Sequence, residues 1–327
     1  MSHRSFLTRV VQPLSLILAL GGCGPTEVPV RAPTVDPLPA AEAPEGFAVI
    51  PSGSFVMGSP SSQLAREEHE GPTWEVALTS SFLLGRTEVT VGAFEGFVAA
   101  TGHVTDAETA GWGQGANGHE RTPGLSWRAP GFQQAEDHPV VGVSWNDATA
   151  YADWRSSVDG LPPCYAAGFT PGCLGWRLPT EAEWEWAARA GTTGPWGPLT
   201  ESGRGCEATA LTTIAWMCSN ARGSTHPVGS LAANPWGVHD LLGNAWEWVH
   251  DGFDDYPGDA EDPLGGAPGD DRANSGCGWG SRVEDCRVAM RVEDPPDVGF
   301  DNLGFRLART VPMSRTDHRQ ALLAARR

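Results

Sequence analysis

The stretch that decides the fold, residues 234–251, reads Asn234-Pro-Trp-Gly-Val-His-Asp240-Leu-Leu-Gly243-Asn-Ala-Trp246-Glu-Trp-Val-His-Asp251. Few folds need glycine, aromatic and acidic residues in that order. A second block, residues 176–191, reads Trp176-Arg-Leu-Pro-Thr180-Glu-Ala-Glu183-Trp-Glu-Trp-Ala-Ala-Arg-Ala-Gly191. Thr180 and Glu183 form a capping box there, which predicts a helix that begins after Thr180 and ends near Gly191.

Three further patterns predict local structure. Apolar residues at helical spacing follow Thr90 and stop at Gly102, and a similar pattern runs from Ser144 to Trp154, so each predicts a helix. The segment from Phe47 to Gly58 has two apolar runs around Pro51-Ser-Gly53, which predicts a β-hairpin.

The two blocks resemble the best-known motifs of the formylglycine-generating enzyme family, also called the sulfatase-modifying factor family. Three shorter stretches also match family positions in family order: Arg86–Thr90, His138–Trp145 and Asn302–Arg306. The resemblance implies an α+β, irregular, loop-rich C-type-lectin-like fold with few short helices and strands, over residues 46–310. The 41 Gly and 27 Pro fit such a fold, and the 14 Trp can supply its core.

Both ends of the chain differ in character from this domain. Residues 1–22 carry Arg4 and Arg9 before a short apolar run, which is typical of a signal peptide. The run ends in Gly21-Gly-Cys23 and resembles a lipobox, which predicts a lipid on Cys23 and a membrane partner through that anchor; an ordinary secretory signal is the alternative. Residues 23–45 predict a Pro- and Ala-rich tether, and residues 311–327 predict a basic tail. The expected location is extracytoplasmic, lipid-anchored to the bacterial cell envelope, with the outer membrane as the expected membrane.

The charge excludes several function classes. The formal net charge is -18, and all 22 Lys+Arg residues are arginine. Such a surface repels nucleic acid and anionic lipid and attracts divalent cations. The absence of lysine excludes Schiff-base catalysis and lysine-dependent phosphate loops on this chain.

Cysteine usage indicates an oxidising compartment. Apart from Cys23, six cysteines fall as close neighbours, and the simplest pairing joins them locally. Six cysteines allow 15 connectivities, so this pairing is one choice among several, and one pair could instead hold a metal. The predicted disulfides are Cys164–Cys173, Cys206–Cys218 and Cys277–Cys286.

Family members that act as enzymes oxidise a cysteine of an unfolded sulfatase segment to formylglycine, with oxygen and a copper ion held by two cysteines. Those two cysteines lie five residues apart before an Arg-x-Ala-x-Arg pattern. Here Arg287, Ala289 and Arg291 preserve the pattern, but Cys277 and Cys286 lie nine residues apart. We interpret them as a structural disulfide; an altered copper or redox site, with Cys277 and Cys286 catalytic, is the alternative. The resemblance implies substrate-binding roles for Trp246, Arg287 and Arg291, with core packing as the alternative for Trp246.

The resemblance also implies structural calcium. In the family, the Gly-Asn-Ala-Trp-Glu-Trp turn binds the ion through carbonyls and an acidic side chain, which are the hard ligands that calcium prefers. The matching positions are Asp240, Gly243, Ala245 and Glu247. Asn220 resembles the start of a second site whose remaining loop is shortened. The nine histidines contain no His-x3-His pair, which disfavours an iron site of the kind found in the related sulfoxide synthases.

Two functional hypotheses follow from these residues. The first is an envelope lipoprotein whose calcium-stabilised domain lacks the copper-oxidase site and acts as a binding or accessory protein for a protein or glycan partner. The alternative is an oxidoreductase that acts on protein cysteine through Cys277 and Cys286. A variable-loop display protein on the same scaffold is a third, weaker idea, because the chain continues past the usual final strand.

Overall fold

A computed structural model of the chain describes residues 27–36, 43–115, 120–166, 168–169, 171–200, 204–207, 210–256, 258–265 and 271–311. The predicted signal peptide, the lipidation site at Cys23 and all of the basic tail except residue 311 lie outside these ranges. In the described part, no helix is long and apolar enough to cross a membrane. The helices are α1 (Val91–Thr101), α2 (Asp106–Ala110), α3 (Trp145–Val158) and α4 (Glu181–Arg189). The strands are β1 (Thr34–Val35), β2 (Phe47–Ile50), β3 (Gly53–Met57), β4 (Trp74–Leu78), β5 (Phe82–Gly85), β6 (Trp112–Gln114), β7 (Arg121–Pro123), β8 (Trp246–Gly252), β9 (Ala260–Glu261), β10 (Arg272–Ser275), β11 (Arg291–Asp294), β12 (Leu303–Phe305) and β13 (Ala308–Thr310).

The strands of the described residues form small sheets rather than one large one. Their orders are β1-β3-β4-β9, β11-β10-β8-β12, β13-β5-β2 and β6-β7. Most neighbouring strands are antiparallel, while β12 pairs with β8 and β9 with β4 in parallel. Because the strands are few and short between long loops, the structure is the α+β, loop-rich, lectin-like arrangement that the motifs imply.

The hairpin predicted from Phe47 to Gly58 is wrong. Strand β2 pairs with β5, whereas β3 pairs with β4 and β1, so the two strands belong to different sheets. Pro51 and Gly53 bend the chain as their residue types require, but Ser52 donates its backbone N–H to Ser81 Oγ (3.2 Å) instead of to a hairpin partner. Turn residues fix the bend, and the long-range partner of each strand is set by packing.

The three predicted helices and the Thr180 capping box are confirmed, although α3 runs past the predicted Trp154 to Val158. Thr90, Ser144 and Thr180 accept the N-terminal amides of α1, α3 and α4 through their hydroxyls. Helix α1 ends at Gly102 in the left-handed region, as predicted. Helix α4 ends one residue before Ala190, which itself has φ 44°.

Two apolar clusters form the core, and tryptophans are central to both. Trp184 and Trp186 of α4 pack with β2–β5, while Trp248 packs with α1 and α3. All three are fully buried, and each indole N–H has an acceptor: Glu247 Oε2, Pro51 O and Val143 O, at 2.8, 2.8 and 3.1 Å. Buried indoles thus supply much of the core packing in a domain with few and short helices and strands.

Part of the predicted tether lies on the domain. Strand β1 pairs with the edge of β3, and Val28 donates its N–H to Thr73 O at 3.1 Å. The segment thereby covers an otherwise open sheet edge. Residues before 46, where the motifs place the start of the domain, therefore also pack on it.

Candidate functional site

The turn of the first motif block precedes β8 and is held in place by backbone contacts. Asp240, Gly243 and Asn244 all have positive φ (57°, 93° and 63°). A Cβ on Gly243 would lie 2.5 Å from the backbone nitrogen of Trp216, so only glycine fits there. Asn244 donates its N–H to Trp216 O (2.7 Å) and accepts His226 N–H through Oδ1 (2.9 Å). The turn is therefore rigid and places Asp240 and Glu247 inside the protein.

Glu247 is fully buried and already paired. Arg306 approaches both of its oxygens, with Nη2 2.5 Å from Oε1 and Nε 2.6 Å from Oε2. Trp184 Nε1 donates to Oε2 at 2.8 Å. Calcium bound by Glu247 would have to share this carboxylate with the Arg306 guanidinium, and the calcium role of Glu247 stays a prediction.

Two other buried carboxyls beside this pair have oxygens without partners. Asp240 accepts Gly229 N–H through Oδ2 (2.6 Å), but its Oδ1 has no hydrogen bond within the described residues. Glu88, which is 2% exposed, has no hydrogen-bond partner for either carboxyl oxygen among the residues that the structure describes. Burial, followed by the charge of Asp240, raises the pKa of Glu88 well above its ordinary value, and burial likewise raises the pKa of Asp240.

The buried carboxyls around Asp240 need a proton or a cation to satisfy them. The carboxyls of Glu88, Asp240 and Glu247 share one buried guanidinium, Arg306. Unpaired buried oxygens are costly unless a proton or a cation satisfies them. In the described part of the chain, no three His, Cys, Asp or Glu side chains converge on one metal position. A cation would therefore need Asp240 and Glu88 together with backbone carbonyls.

The second calcium site suggested by Asn220 has no free side-chain oxygen at that residue. Asn220 Oδ1 accepts Met217 N–H at 2.9 Å, and its Nδ2 donates to Ala215 O at 3.0 Å. Both polar atoms of the Asn220 side chain therefore bond to the backbone just before it, at Ala215 and Met217.

The three predicted disulfides are present. The sulfur–sulfur distances are 2.03, 2.03 and 2.11 Å for Cys164–Cys173, Cys206–Cys218 and Cys277–Cys286. Cys277 and Cys286 are both 0% exposed and belong to the apolar core around α4. An oxidised, buried pair offers no thiolate to copper, so these residues do not fit the copper site.

The two arginines of the Arg-x-Ala-x-Arg pattern are buried in ion pairs. Arg287 forms a bidentate pair with the buried carboxylate of Glu70, in which Nη2 lies 2.6 Å from Oε1. Arg291 pairs with Glu181, with Nε 2.6 Å from Oε1, and its guanidinium stacks on Phe253 and Tyr256. The guanidinium groups thus hold structure together here, and substrate binding by either arginine stays a prediction.

Trp246 is the member of the predicted substrate-binding set with exposed surface. It is half-buried between the two core clusters. Its ring lies against Gly278, since a Cβ added to that glycine would be only 3.0 Å from Trp246 Cδ1. Trp279 packs nearby against Phe132, with ring centroids 5.5 Å apart. Trp246 therefore packs on the core, and its role in substrate binding stays a prediction.

Sequence reasoning missed three buried acids that the site depends on: Glu70, Glu88 and Glu181. Glu88 lies inside the Arg86–Thr90 family stretch, and Glu181 lies inside the α4 capping box. Their position in motifs was a signal, but the role of each depends on a residue more than a hundred positions away: Arg291 for Glu181, and Asp240 and Arg306 for Glu88. Glu70 had no such signal.

The fold and the site together define a class: a lectin-like domain with a rigid Gly-Asn-Ala-Trp-Glu-Trp turn, an Arg306–Glu247 core pair and a disulfide before the arginine pattern. Residues 32–311 match the family model for the sulfatase-modifying factor enzyme 1-like domain. The chain belongs to this family.

Among its relatives is the formylglycine-generating enzyme of Thermomonospora curvata, 34% identical over 86% of this chain and 97% of the relative. Another is inactive C-alpha-formylglycine-generating enzyme 2 of Mus musculus, 30% identical over 82% and 87%. The solved structure of PvdO from Pseudomonas aeruginosa is similar with a TM-score of 0.67 and 28% identity, over 81% of this chain and 94% of that one. The relatives thus include proteins named as active and as inactive enzymes.

Proposed function

We propose that this protein is an envelope lipoprotein whose sulfatase-modifying-factor domain lacks the copper-oxidase site and acts as a binding or accessory protein. The observation that carries the proposal is the Cys277–Cys286 disulfide, because this pair is oxidised and buried, whereas the family's chemistry needs two reactive thiolates before the arginine pattern. The relatives named as inactive support the same conclusion for this domain type.

The experiment is a thiol count on the purified, non-reduced protein by alkylation and intact mass, followed by peptide mapping. The expected result is no alkylated cysteine in the domain, with Cys277 joined to Cys286. An oxygen-uptake assay with copper and a cysteine-bearing sulfatase peptide should then give no signal. Alkylation of both Cys277 and Cys286, together with peptide-dependent oxygen uptake, would overturn the proposal.

That second outcome is the alternative function, an oxidoreductase acting on protein cysteine through an altered Cys277/Cys286 site. It is favoured by the identity to a formylglycine-generating enzyme across 97% of that relative. Copper would be the cofactor under this alternative, but the oxidised pair does not fit it, and we derive no step through copper.

We also propose that the domain binds calcium beside Asp240. The ligands would be the side chains of Asp240 and Glu88 with the carbonyls of Gly243 and Ala245; the ion would neutralise carboxylates that otherwise lie unpaired in the core. The support is the three buried carboxyl oxygens without partners. Equilibrium dialysis should detect one tightly held calcium per chain, and its absence would remove this proposal.

The location follows from Cys23, which we propose carries the lipid that anchors the protein to the envelope. The test is intact mass of the membrane-extracted protein, compared with a Cys23→Ala variant. The native chain should begin at residue 23 with a diacylglyceryl mass, and the variant should lack it. A native chain without the lipid would indicate an ordinary secretory signal instead.

A further inference from the structure

Two of the three disulfides lie next to one another in the fold but differ in exposure. Cys206 is exposed and Cys218 is half-buried, whereas Cys277 and Cys286 are both fully buried. Cys218 packs against the same apolar cluster that contains Cys277 and Cys286. We call Cys206–Cys218 the outer disulfide and Cys277–Cys286 the inner disulfide. A reductant in solution therefore reaches the outer disulfide first.

Hydrogen bonds join the outer disulfide to the segment between the two inner cysteines. Cys218 donates its N–H to Ser281 O at 3.1 Å, and Gly205 accepts Val283 N–H at 2.9 Å. Gly205 also donates its N–H to Glu284 Oε2 at 2.8 Å. We call these three hydrogen bonds the clamp. Because the outer disulfide joins Cys218 to the residue after Gly205, it holds both parts of the clamp together.

The same segment buries the inner disulfide. Val283 is 0% exposed and belongs to the apolar cluster around both inner sulfurs. Its carbonyl oxygen accepts Cys286 N–H at 3.2 Å and Trp196 Nε1–H at 3.3 Å. Exchange requires a thiolate to reach a sulfur, so a fully buried disulfide reacts only after local opening. The clamp opposes that opening.

We propose that the outer disulfide is a redox gate for the inner one. While Cys206–Cys218 is closed, Cys277–Cys286 stays oxidised, and an external dithiol that opens the outer disulfide makes the inner one reducible. The closed inner disulfide also carries the proposed function, so this inference rests on it.

The chemistry of the gate is thiol–disulfide exchange. A thiolate of the dithiol attacks the exposed Cys206 Sγ, the S–S bond breaks, and Cys218 leaves as a thiolate that takes a proton from water. The second thiol of the dithiol then loses its proton, attacks the mixed disulfide at the dithiol's own sulfur and releases Cys206. The dithiol is thereby oxidised by two electrons to its disulfide, and the protein gains two thiols.

A second molecule of dithiol reduces the inner disulfide in the same way once the segment has opened. The opening also reaches the surface beside Trp246, because Gly278 of this segment lies against the Trp246 ring. The redox state of the outer disulfide is thus coupled to the surface around a predicted substrate-binding residue.

The test is time-resolved reduction of the full-length protein by dithiothreitol without denaturant. Samples are quenched with iodoacetamide, and the three disulfides are followed by peptide mass mapping. In the native protein we expect the outer disulfide to open first and the inner one to follow after a lag. In Cys206→Ala/Cys218→Ala the lag should vanish, and the initial rate of inner reduction should rise about tenfold.

The matched control is Cys164→Ala/Cys173→Ala. It removes a disulfide from a different part of the fold, where Cys164 donates its N–H to Asp153 Oδ1 of α3 at 2.7 Å. We expect it to change the initial rate of inner reduction by less than about twofold. Circular dichroism and the melting temperature show whether each variant is folded.

Glu284→Ala tests the clamp with all cysteines in place. It removes the acceptor of Gly205 N–H and should raise the initial rate of inner reduction about threefold. Glu293→Ala, at an exposed acid of β11, is its control and should leave the rate unchanged.

Three results would overturn the proposal. The first is inner reduction that precedes or accompanies outer reduction in the native protein. The second is equal acceleration in the two double-cysteine variants, because reduction would then follow global unfolding. The third is an unchanged initial rate in a folded Cys206→Ala/Cys218→Ala protein; if that variant does not fold, an unchanged rate in Glu284→Ala has the same meaning.

The outcome is separable from that of the proposed function. A closed inner disulfide whose reduction does not depend on the outer one would remove this inference alone. Dependence on the outer disulfide, together with copper- and peptide-dependent oxygen uptake by the reduced protein, would remove the proposed function alone. Alkylation of Cys277 and Cys286 in the non-reduced protein, with Cys206–Cys218 closed, would remove both.

Discussion

The two signature regions of the family both bury charged side chains, but they pair those charges differently. The segment from Cys277 to Arg291 is closed: its cysteines are joined, and Arg287 and Arg291 each meet one buried carboxylate. The region around Asp240 leaves three carboxyl oxygens without partners and shares one arginine among three acids. In the first, closed region each buried arginine has a carboxylate partner. The second, open region needs a proton or a cation to satisfy its buried carboxyls. A family motif therefore marks a buried charge network, and the balance of that network decides what it can bind.

The largest effect is expected from Arg306→Met in the open region. The change leaves Glu247 buried without its cation, beside Glu88 and Asp240, and should cost about 3–5 kcal/mol of unfolding free energy in urea denaturation. Arg155→Gln is the control, since its pair with Asp159 at 3.1 Å is partly exposed and should cost less than about 1 kcal/mol. Similar losses of unfolding free energy in the two variants would contradict the role of Arg306 in neutralising these buried carboxyls.

The closed region should be sensitive to loss of its disulfide. Cys277→Ala/Cys286→Ala is expected to cost about 2–4 kcal/mol. Cys164→Ala/Cys173→Ala is a matched control, because both pairs span a sequence separation of 9. Loop entropy is then equal, and the fully buried pair should cost about 1 kcal/mol more through the cavity it leaves. A larger loss from the control would contradict the role of Cys277–Cys286 in the core.

Calcium should stabilise the folded protein through the open region alone, so that removing the disulfide of the closed region does not change the gain. Saturating calcium, at about 100 times its dissociation constant, should add roughly 2.7 kcal/mol to the native protein and to the Cys277→Ala/Cys286→Ala variant. Glu88→Gln should lose this response, and without calcium it should be at least as stable as the native protein, because one unpaired buried carboxylate is gone. Glu95→Gln is the exposed control; thermal melting with calcium or with chelator gives the comparison. A full calcium response in Glu88→Gln would exclude Glu88 as a ligand.

The smallest effect, taken per pH unit, is a pH dependence at Asp294, which follows the closed region in β11. Burial raises the pKa of Asp294 to about 7 from its ordinary 3.8, although Asn274 Nδ2 donates to it at 2.8 Å. Between about pH 4 and 7 the folded protein therefore binds more protons than the unfolded chain, so stability falls as pH rises. Asp294→Asn should flatten that fall by at most about 1 kcal/mol per pH unit, whereas the exposed Asp297→Asn should not. An unchanged slope in urea titrations from pH 4 to 7 would show that the Asp294 carboxyl titrates normally.

Local sequence predicted the caps and the covalent links well. Thr90, Ser144 and Thr180 each act within four residues of their own position, and the paired cysteines are 9 to 12 residues apart. Physical rules for such short distances need no knowledge of the rest of the chain. The motifs likewise indicated the family and thereby the lectin-like fold.

Long-range partners could not be predicted in the same way. The hairpin at Pro51 failed because β2 and β3 take partners from other parts of the chain. Arg287 appeared as a candidate substrate contact, yet it meets Glu70, 217 residues away. Glu88 lies in the Arg86–Thr90 family stretch, but its importance follows from the burial of both oxygens, which the stretch does not reveal.

The sequence by itself determined the family and the starts of three helices, and it favoured the local cysteine pairing as the simplest of several, because these features depend on residue types at short, fixed spacing. Only the tertiary structure decided which carboxyls lie buried and which of them Arg287, Arg291 and Arg306 neutralise. The physical reason is that the energy of a buried charge depends on its distance from every other charge and from water, and chain folding alone sets those distances.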